Sequence, residues 1–246
     1  MTTIVDKIEH SKELIAESVK KYEKIAVASS FGKDSITTVH LSRKVDPDIS
    51  VFSVMTIYKP LVTLEYLVEM NRKMNLDVTV YIVADEAPEI LKKNGIKVVT
   101  LPTARFKEAY ECEKREKGRE LYETYPDLCC ELLKVEPTKV AVKNLDAWIA
   151  GLRKTEGSTR ENLNEVEHRG NIVKINPVLE WTELDIWRYL AINNIPVNPL
   201  YKKGYRSLGC EPCSVIVSDD EPERAGRWQG TSKCGGECGI HTKTLK

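Results

Sequence analysis

The 246-residue sequence lacks any apolar run approaching the ~20 residues that a membrane span needs. It also lacks net charge, because 37 Lys and Arg balance 37 Asp and Glu. No bulk field therefore favours nucleic acid or a membrane surface, and any anion site must be local. Neither GxxxxGK(S/T) nor GxGxxG occurs, so the Walker and dinucleotide phosphate loops are both excluded. Internal repeats and low-complexity linkers are absent too. The opening stretch MTTIVDKIEHSKELI is charged and amphipathic rather than an apolar leader. A cytoplasmic protein is expected.

What is present alternates. Helical spacing covers 4–22, 36–44, 61–74 and 182–194, with Thr182 as an N-cap. Short apolar strands are predicted at 25–30, 51–57, 78–83, 96–100 and 145–152. Residues 171–178 read as an edge strand or a loop, and the strongly charged 103–125 as a solvated helix. Strands alternating with helices imply an α/β fold, a parallel sheet covered on both faces. One domain is expected over residues 1–200, followed by a mostly irregular segment over 201–246.

Three motifs carry chemistry. SSFGKDS (29–35) joins a strand to a helix, where small residues and a helix N-terminus can receive an anion. GLRKTEGSTR (151–160) follows a buried strand and offers Arg153, Lys154 and Arg160, guanidinium groups being suited to phosphate or sulfate. Six of the seven cysteines fall in three pairs: Cys129 with Cys130, Cys210 with Cys213, and Cys234 with Cys238. Adjacent cysteines close a disulfide only with strain. Four thiolates in two tight pairs suit a tetrahedral metal or an iron–sulfur cube. Zinc and two unrelated buried pairs remain the other readings.

The order SSFGKDS, CCELLKVEP, GLRKTEGSTR, NPLYKKGYRSLGCEPC, RAGRW, ECGIH resembles the assimilatory sulfonucleotide reductases, from about residue 24 to 241. The resemblance implies a Rossmann-like sheet of the PP-loop adenine-nucleotide type with an irregular C-terminal tail. It implies thioredoxin-dependent reduction of adenylyl sulfate, or its 3′-phosphorylated form, to sulfite through an S-sulfocysteine. Cys238 matches the nucleophile, and Cys129, Cys130, Cys210 and Cys213 match ligands of a [4Fe–4S] cluster. Ser29, Ser30, Gly32, Asp34 and Ser35 match the nucleotide loop, with Lys134, Arg153, Arg160, Arg224, Arg227 and His241 around the substrate. The implied partner is thioredoxin or a glutaredoxin-like reductant, with no nucleic acid and no membrane; homo-oligomerisation stays open. The glycines beside Cys238 give it a mobile segment that reaches first substrate and then reductant.

Three positions depart from the family pattern. VMTIYKP stands where Asp-Thr-Gly usually follows the second strand, Leu133 replaces an arginine, and Cys234 is an extra thiol. The missing Asp-Thr-Gly keeps an ATP-using PP-loop adenylyltransferase or thiolation enzyme in view. A non-catalytic iron–sulfur sensor is the rival from another class. Cys112 has no assigned role.

Overall fold

The computed structural model describes residues 3–233 and 236–241. The elements are α1 (Ile4–Lys21), β1 (Ile25–Ala28), α2 (Lys33–Val45), β2 (Ser50–Met55), α3 (Leu61–Lys73), β3 (Val78–Val83), α4 (Glu89–Lys93) and β4 (Lys97–Leu101). They continue with α5 (Ala104–Lys117), α6 (Leu121–Thr124), α7 (Pro126–Cys130), a π-helical turn (Glu131–Val135), α8 (Glu136–Val142), β5 (Ala147–Ile149), β6 (Val166–Arg169), β7 (Ile172–Ile175) and α9 (Glu183–Ile192). After α9 only short 3₁₀ turns interrupt an irregular segment. Among the described residues no helix is long and apolar enough to cross a membrane.

The seven strands form one sheet in the order β4-β3-β2-β1-β5-β7-β6. All neighbours are parallel except β6 and β7. Consecutive residues of a strand point to opposite faces. In β5, Ala147 and Ile149 therefore join the core under α1, α2 and α9, while Trp148 packs with Phe52, Val135 and Val142 on the α8 side. Burial on both faces explains why the central strands read as unbroken apolar runs rather than alternating ones.

Two of the helices on the first face, α1 and α9, start on side-chain capping boxes. Thr3 accepts from the Asp6 amide at 3.2 Å, and Thr182 accepts from the Asp185 amide at 3.2 Å. Each aspartate returns a bond to the cap amide.

Two sequence expectations change. Residues 172–175 form an interior strand, all four buried, and the edge belongs to β6, whose sequence VEHR carries no strand pattern. The buried Glu167 of β6 pairs with the buried Lys174 of β7 at 2.5 Å, so charge complementarity replaces apolar alternation there. The charged stretch 103–125 is not one helix. Gly118, at φ +63°, stops α5, and α6 follows.

The order in which strands join the sheet reverses between β1 and β5, which are parallel neighbours. The loops after β1, β2 and β5 leave the carboxyl ends of adjacent strands, the place where open parallel sheets form a crevice.

Candidate active site

The loop after β1 is held by its own hydroxyls. Ser29 Oγ accepts from the Phe31 amide at 3.2 Å, and Ser35 Oγ accepts from the Gly32 amide at 3.1 Å. Phe31 sits at φ +59°, a conformation rare for a bulky residue, and its ring is fully buried against Tyr66. The Lys33 amide donates to Tyr201 Oη at 2.8 Å. Ser29, Ser30, Gly32, Lys33, Asp34 and Ser35 all line one cleft of about 1110 Å³, its open mouth included.

The loop after β5 docks directly on this one. A Cβ on Gly151 would lie 2.8 Å from the Asp34 carbonyl oxygen, so only glycine permits the approach. Arg153, fully buried, does not line the cleft. Its guanidinium bridges Asp34 to Glu223, reaching the Glu223 oxygens at 2.7 and 2.6 Å. Lys33 contacts the same two carboxylates. Burial alone would raise the Asp34 pKa, but Lys33 and Arg153 hold it down at about 2. Asp34, Glu156 and Glu223 are the one set of three or more ligand-type side chains, among the described residues, whose atoms lie within 4.8 Å of one another. Arginine and lysine side chains already neutralise that set.

The cations of the cleft fall into two groups. Arg160 pairs with Glu156 and, at 2.6 Å, with Glu237. Arg224 reaches Glu237 at 3.1 Å and the Gly236 carbonyl at 3.0 Å. Lys59, Lys134 and Arg227 also line the cleft, and among the described residues none of them pairs with a carboxylate. Arg227 lies 4.6 Å over the Trp228 ring. It passes where a Cβ on Gly209 would be, 1.9 Å from Nη1. Burial, and then Lys134 and Arg227 nearby, depress the Lys59 pKa to about 8 against the pull of Cys210.

The four cysteines of the two tight pairs line one adjoining pocket of about 290 Å³ with Thr56, Tyr58, Lys134 and Trp228. All four are buried and none is in a disulfide. Cys129 and Cys130 end α7, and the π-helical turn after them carries Lys134. The loop that replaces Asp-Thr-Gly supports this pocket. Thr56 Oγ1 lies 3.1 Å from Cys210 Sγ, and the Glu211 amide donates to the Tyr58 carbonyl at 2.8 Å. Leu133 belongs to an apolar cluster with Phe106 and Leu121. Four thiolates around one zinc would sit about 3.8 Å apart, from a Zn–S bond of about 2.3 Å. No three of these sulfurs lie within 4.8 Å of one another. An all-thiolate set spread this widely fits a cluster of several metals better than a single ion.

The tail enters between the two groups of cations. Cys238 is buried, lines the main cleft and meets Cys130. That thiol contact and burial raise its pKa, while the Lys134 ammonium lowers it. Glu237 lies between Arg160 and Arg224 and also accepts from the Cys238 amide at 2.8 Å. The His241 amide donates to the Cys238 carbonyl at 3.1 Å, and the imidazole stacks on Trp148 at 11°. Burial pushes the imidazole pKa down to about 3, so it brings no positive charge to the thiol. Lys233 is engaged with Asp127 at 2.5 Å. Lys134 is thus the cation poised to favour a Cys238 thiolate.

Cys234 and Gly235 lie outside the described residues. Cys112 is exposed on α5 and lines neither cavity. Lys33, Lys59, Glu156, Tyr201, Glu223 and Trp228 join the site without being singled out by the sequence. RAGRW contains the tryptophan and GKD the lysine, whereas Lys59 and Glu223 carry no motif.

The phosphoadenosine phosphosulfate reductase domain matches residues 24–216. The chain is 34% identical to the adenosine 5′-phosphosulfate reductase of Halalkalibacterium halodurans, over 94% of this chain and 91% of that protein. It is 31% identical to the enzyme of the same name from Burkholderia cepacia, over 97% and 89%. Its fold is similar to the crystal structure of Candida auris phosphoadenylyl-sulfate reductase, with a TM-score of 0.64 at 20% identity, covering 83% of this chain and 90% of that one. Candida glabrata FMN adenylyltransferase shares the fold at a TM-score of 0.58 and 15% identity, covering 92% and 73%.

Proposed function

The chain belongs to the phosphoadenosine phosphosulfate reductase domain family, a sulfonucleotide reductase of sulfate assimilation, and from that premise we propose that it reduces adenylyl sulfate to sulfite and AMP with Cys238 as nucleophile. One observation supports this above the others. Cys238 lines the same cleft as the β1 loop and the unpaired cations, with Lys134 beside it.

In this reading the hydroxyls and amides of residues 29–35 receive the nucleotide, and the positive end of α2 favours its phosphate. Lys134 and Arg227 offset the repulsion between the Cys238 thiolate and the sulfuryl oxygens. The Cys238 sulfur attacks the sulfuryl sulfur; the S–O bond to phosphate breaks and AMP leaves with its electron pair. Cys238 then carries an S-sulfo group. A dithiol protein of the thioredoxin or glutaredoxin type attacks Cys238 Sγ, releasing sulfite and forming a mixed disulfide. Its second thiol displaces Cys238, so the sulfur gains two electrons and the partner becomes a disulfide. Cys129, Cys130, Cys210 and Cys213 would hold a [4Fe–4S] cluster, whose contribution there is to brace the pocket and set the charge beside Lys134.

The test is mass spectrometry of anaerobically purified protein mixed with adenylyl sulfate and no reductant. One added SO₃ group on Cys238, discharged as sulfite by reduced thioredoxin, is expected. Release of pyrophosphate from ATP with no sulfo-adduct would sink the proposal.

A further inference from the structure

Residues 56–60 join β2 to α3, and Lys59 is their one cation. The backbone on both sides of it is fixed. The Lys59 amide donates to the Thr56 carbonyl at 3.0 Å, the Glu211 amide donates to the Tyr58 carbonyl at 2.8 Å, and the Thr63 amide donates to the Pro60 carbonyl at 2.9 Å. The side chain so anchored lines the cleft, where the charged groups acting on it are Cys210, Lys134 and Arg227.

Three cations converge here with no carboxylate among the described residues. Like charges withdrawn from water repel and lose solvation, so this arrangement opposes folding unless an anion joins it. Elsewhere in the cleft the chain supplies such anions itself: Glu223 to Lys33 and Glu237 to Arg160 and Arg224. At Lys59, Lys134 and Arg227 it supplies no carboxylate, and the anionic groups beside Lys59 and Lys134 are cysteine thiols, Cys210 foremost. Cys238 lines the same cleft, and Lys134 acts on both its thiol and Lys59. The ligand's anionic end that faces the thiol therefore belongs to these three side chains.

We propose that Lys59 binds the sulfuryl oxygens of the sulfonucleotide and makes the cleft select the sulfated nucleotide over AMP. This rests on the reductase reading above. AMP shares the adenosine and phosphate but lacks the sulfuryl group, so comparing the two ligands isolates what Lys59 reads.

Equilibrium binding of adenylyl sulfate and of AMP should be measured on anaerobically purified Cys238→Ser protein, which cannot turn over, with and without Lys59→Met. Loss of a charge-assisted bond should weaken adenylyl sulfate about 10- to 100-fold. AMP should change less than about 2-fold. Lys59→Arg should recover most of the difference, and ligand-free Lys59→Met should melt higher, since the repulsion from Lys134 and Arg227 is relieved. Equal weakening of both ligands, or of neither, overturns the proposal. So does altered iron content or visible absorbance with unchanged binding, because Lys59 would then serve only the thiolates. Lys59→Gln carries the same comparison if Lys59→Met is not recovered. A parent protein that binds neither nucleotide would overturn the reductase reading itself, whatever Lys59 does.

Discussion

Lys33, Arg153, Arg160 and Arg224 each touch at least one carboxylate, whereas Lys59, Lys134 and Arg227 touch none among the described residues. All of them line one cleft except Arg153, which lies buried behind it. The paired group ties together segments distant in sequence: the β1 loop, the β5 loop and the tail. Its charges satisfy one another, so it acts as a frame. The unpaired group has cysteine thiols beside it but no carboxylate, so a ligand's anion is what remains to satisfy it in the cleft. A buried charge without a partner is costly and marks function more strongly than a paired one does.

The largest effect should come from Cys238→Ser. Serine is far less acidic and far less nucleophilic toward sulfur. Sulfite formation should fall by roughly three orders of magnitude or more, the scale of losing an essential nucleophile. AMP binding, visible absorbance and the melting curve should stay near wild type. Residual turnover above about a tenth of wild type would move the nucleophile to another thiol.

The contrast between frame and ligand site is tested by treating one arginine from each. Arg153→Met leaves Asp34 and Glu223 with Lys33 as their remaining shared partner, so about 3–5 kcal/mol of stability should be lost, as when one side of a buried pair is removed. Arg227→Met strands no carboxylate. Its stability should change by less than about 1 kcal/mol, the scale of a lost cation–π contact, while adenylyl sulfate binding drops by about 1.5–3 kcal/mol. Denaturant melts and ligand titrations on the two variants check this. Equal destabilisation by both would erase the distinction.

A smaller change should follow from Gly209→Ala, which touches the ligand site without removing a charge. The new methyl would occupy the space of the Arg227 guanidinium, and that side chain is the movable party. Displacement should raise KM for adenylyl sulfate several-fold, with a stability loss of about 1–3 kcal/mol from the overpacking. Unchanged KM would mean that Arg227 has another route to the same place.

Much of this was legible because it is local. Strand-to-helix alternation, the loop of residues 29–35 and the position of residues 151–160 after a buried strand all follow from neighbours in sequence. The two thiol pairs were also visible, and the sheet brings all four into one pocket. What stayed hidden is non-local. Arg153 finds Glu223 across 70 residues and Asp34 across 119, so no spacing rule reveals that its charge is already answered. The edge strand β6 escaped because a buried Glu167–Lys174 pair stands where apolar alternation normally signals a strand. Lys59 escaped because a lone lysine before proline reads as a solvated turn, and only Lys134 and Arg227, from other segments, make it part of a site.

The smallest predicted effect lies in the frame and separates its pH response from that of the cleft. His40 on α2 lies 2.7 Å, through Nδ1, from Tyr189 Oη on α9. Burial, and then Lys44, hold its pKa down at about 4, against about 6.5 in an unfolded chain. Between those values the unfolded state binds more protons than the folded one, so stability must fall as the pH drops from about 6.5 to 4. The full shift sets an upper bound of about 3 kcal/mol, and solvent reaching the half-buried ring should leave roughly half of it. His40→Gln should flatten that acid slope while leaving stability at pH 8 within about 1 kcal/mol and adenylyl sulfate binding unchanged. His241, held near 3 by burial, adds a slope in the same direction from inside the cleft, which the wild-type minus His40→Gln difference removes. Denaturant midpoints at pH 8, 6 and 5 measure it. Parallel lines for the two proteins would show that His40 is protonated in the folded state, and that the α2–α9 contact is not the acid-sensitive joint of the frame.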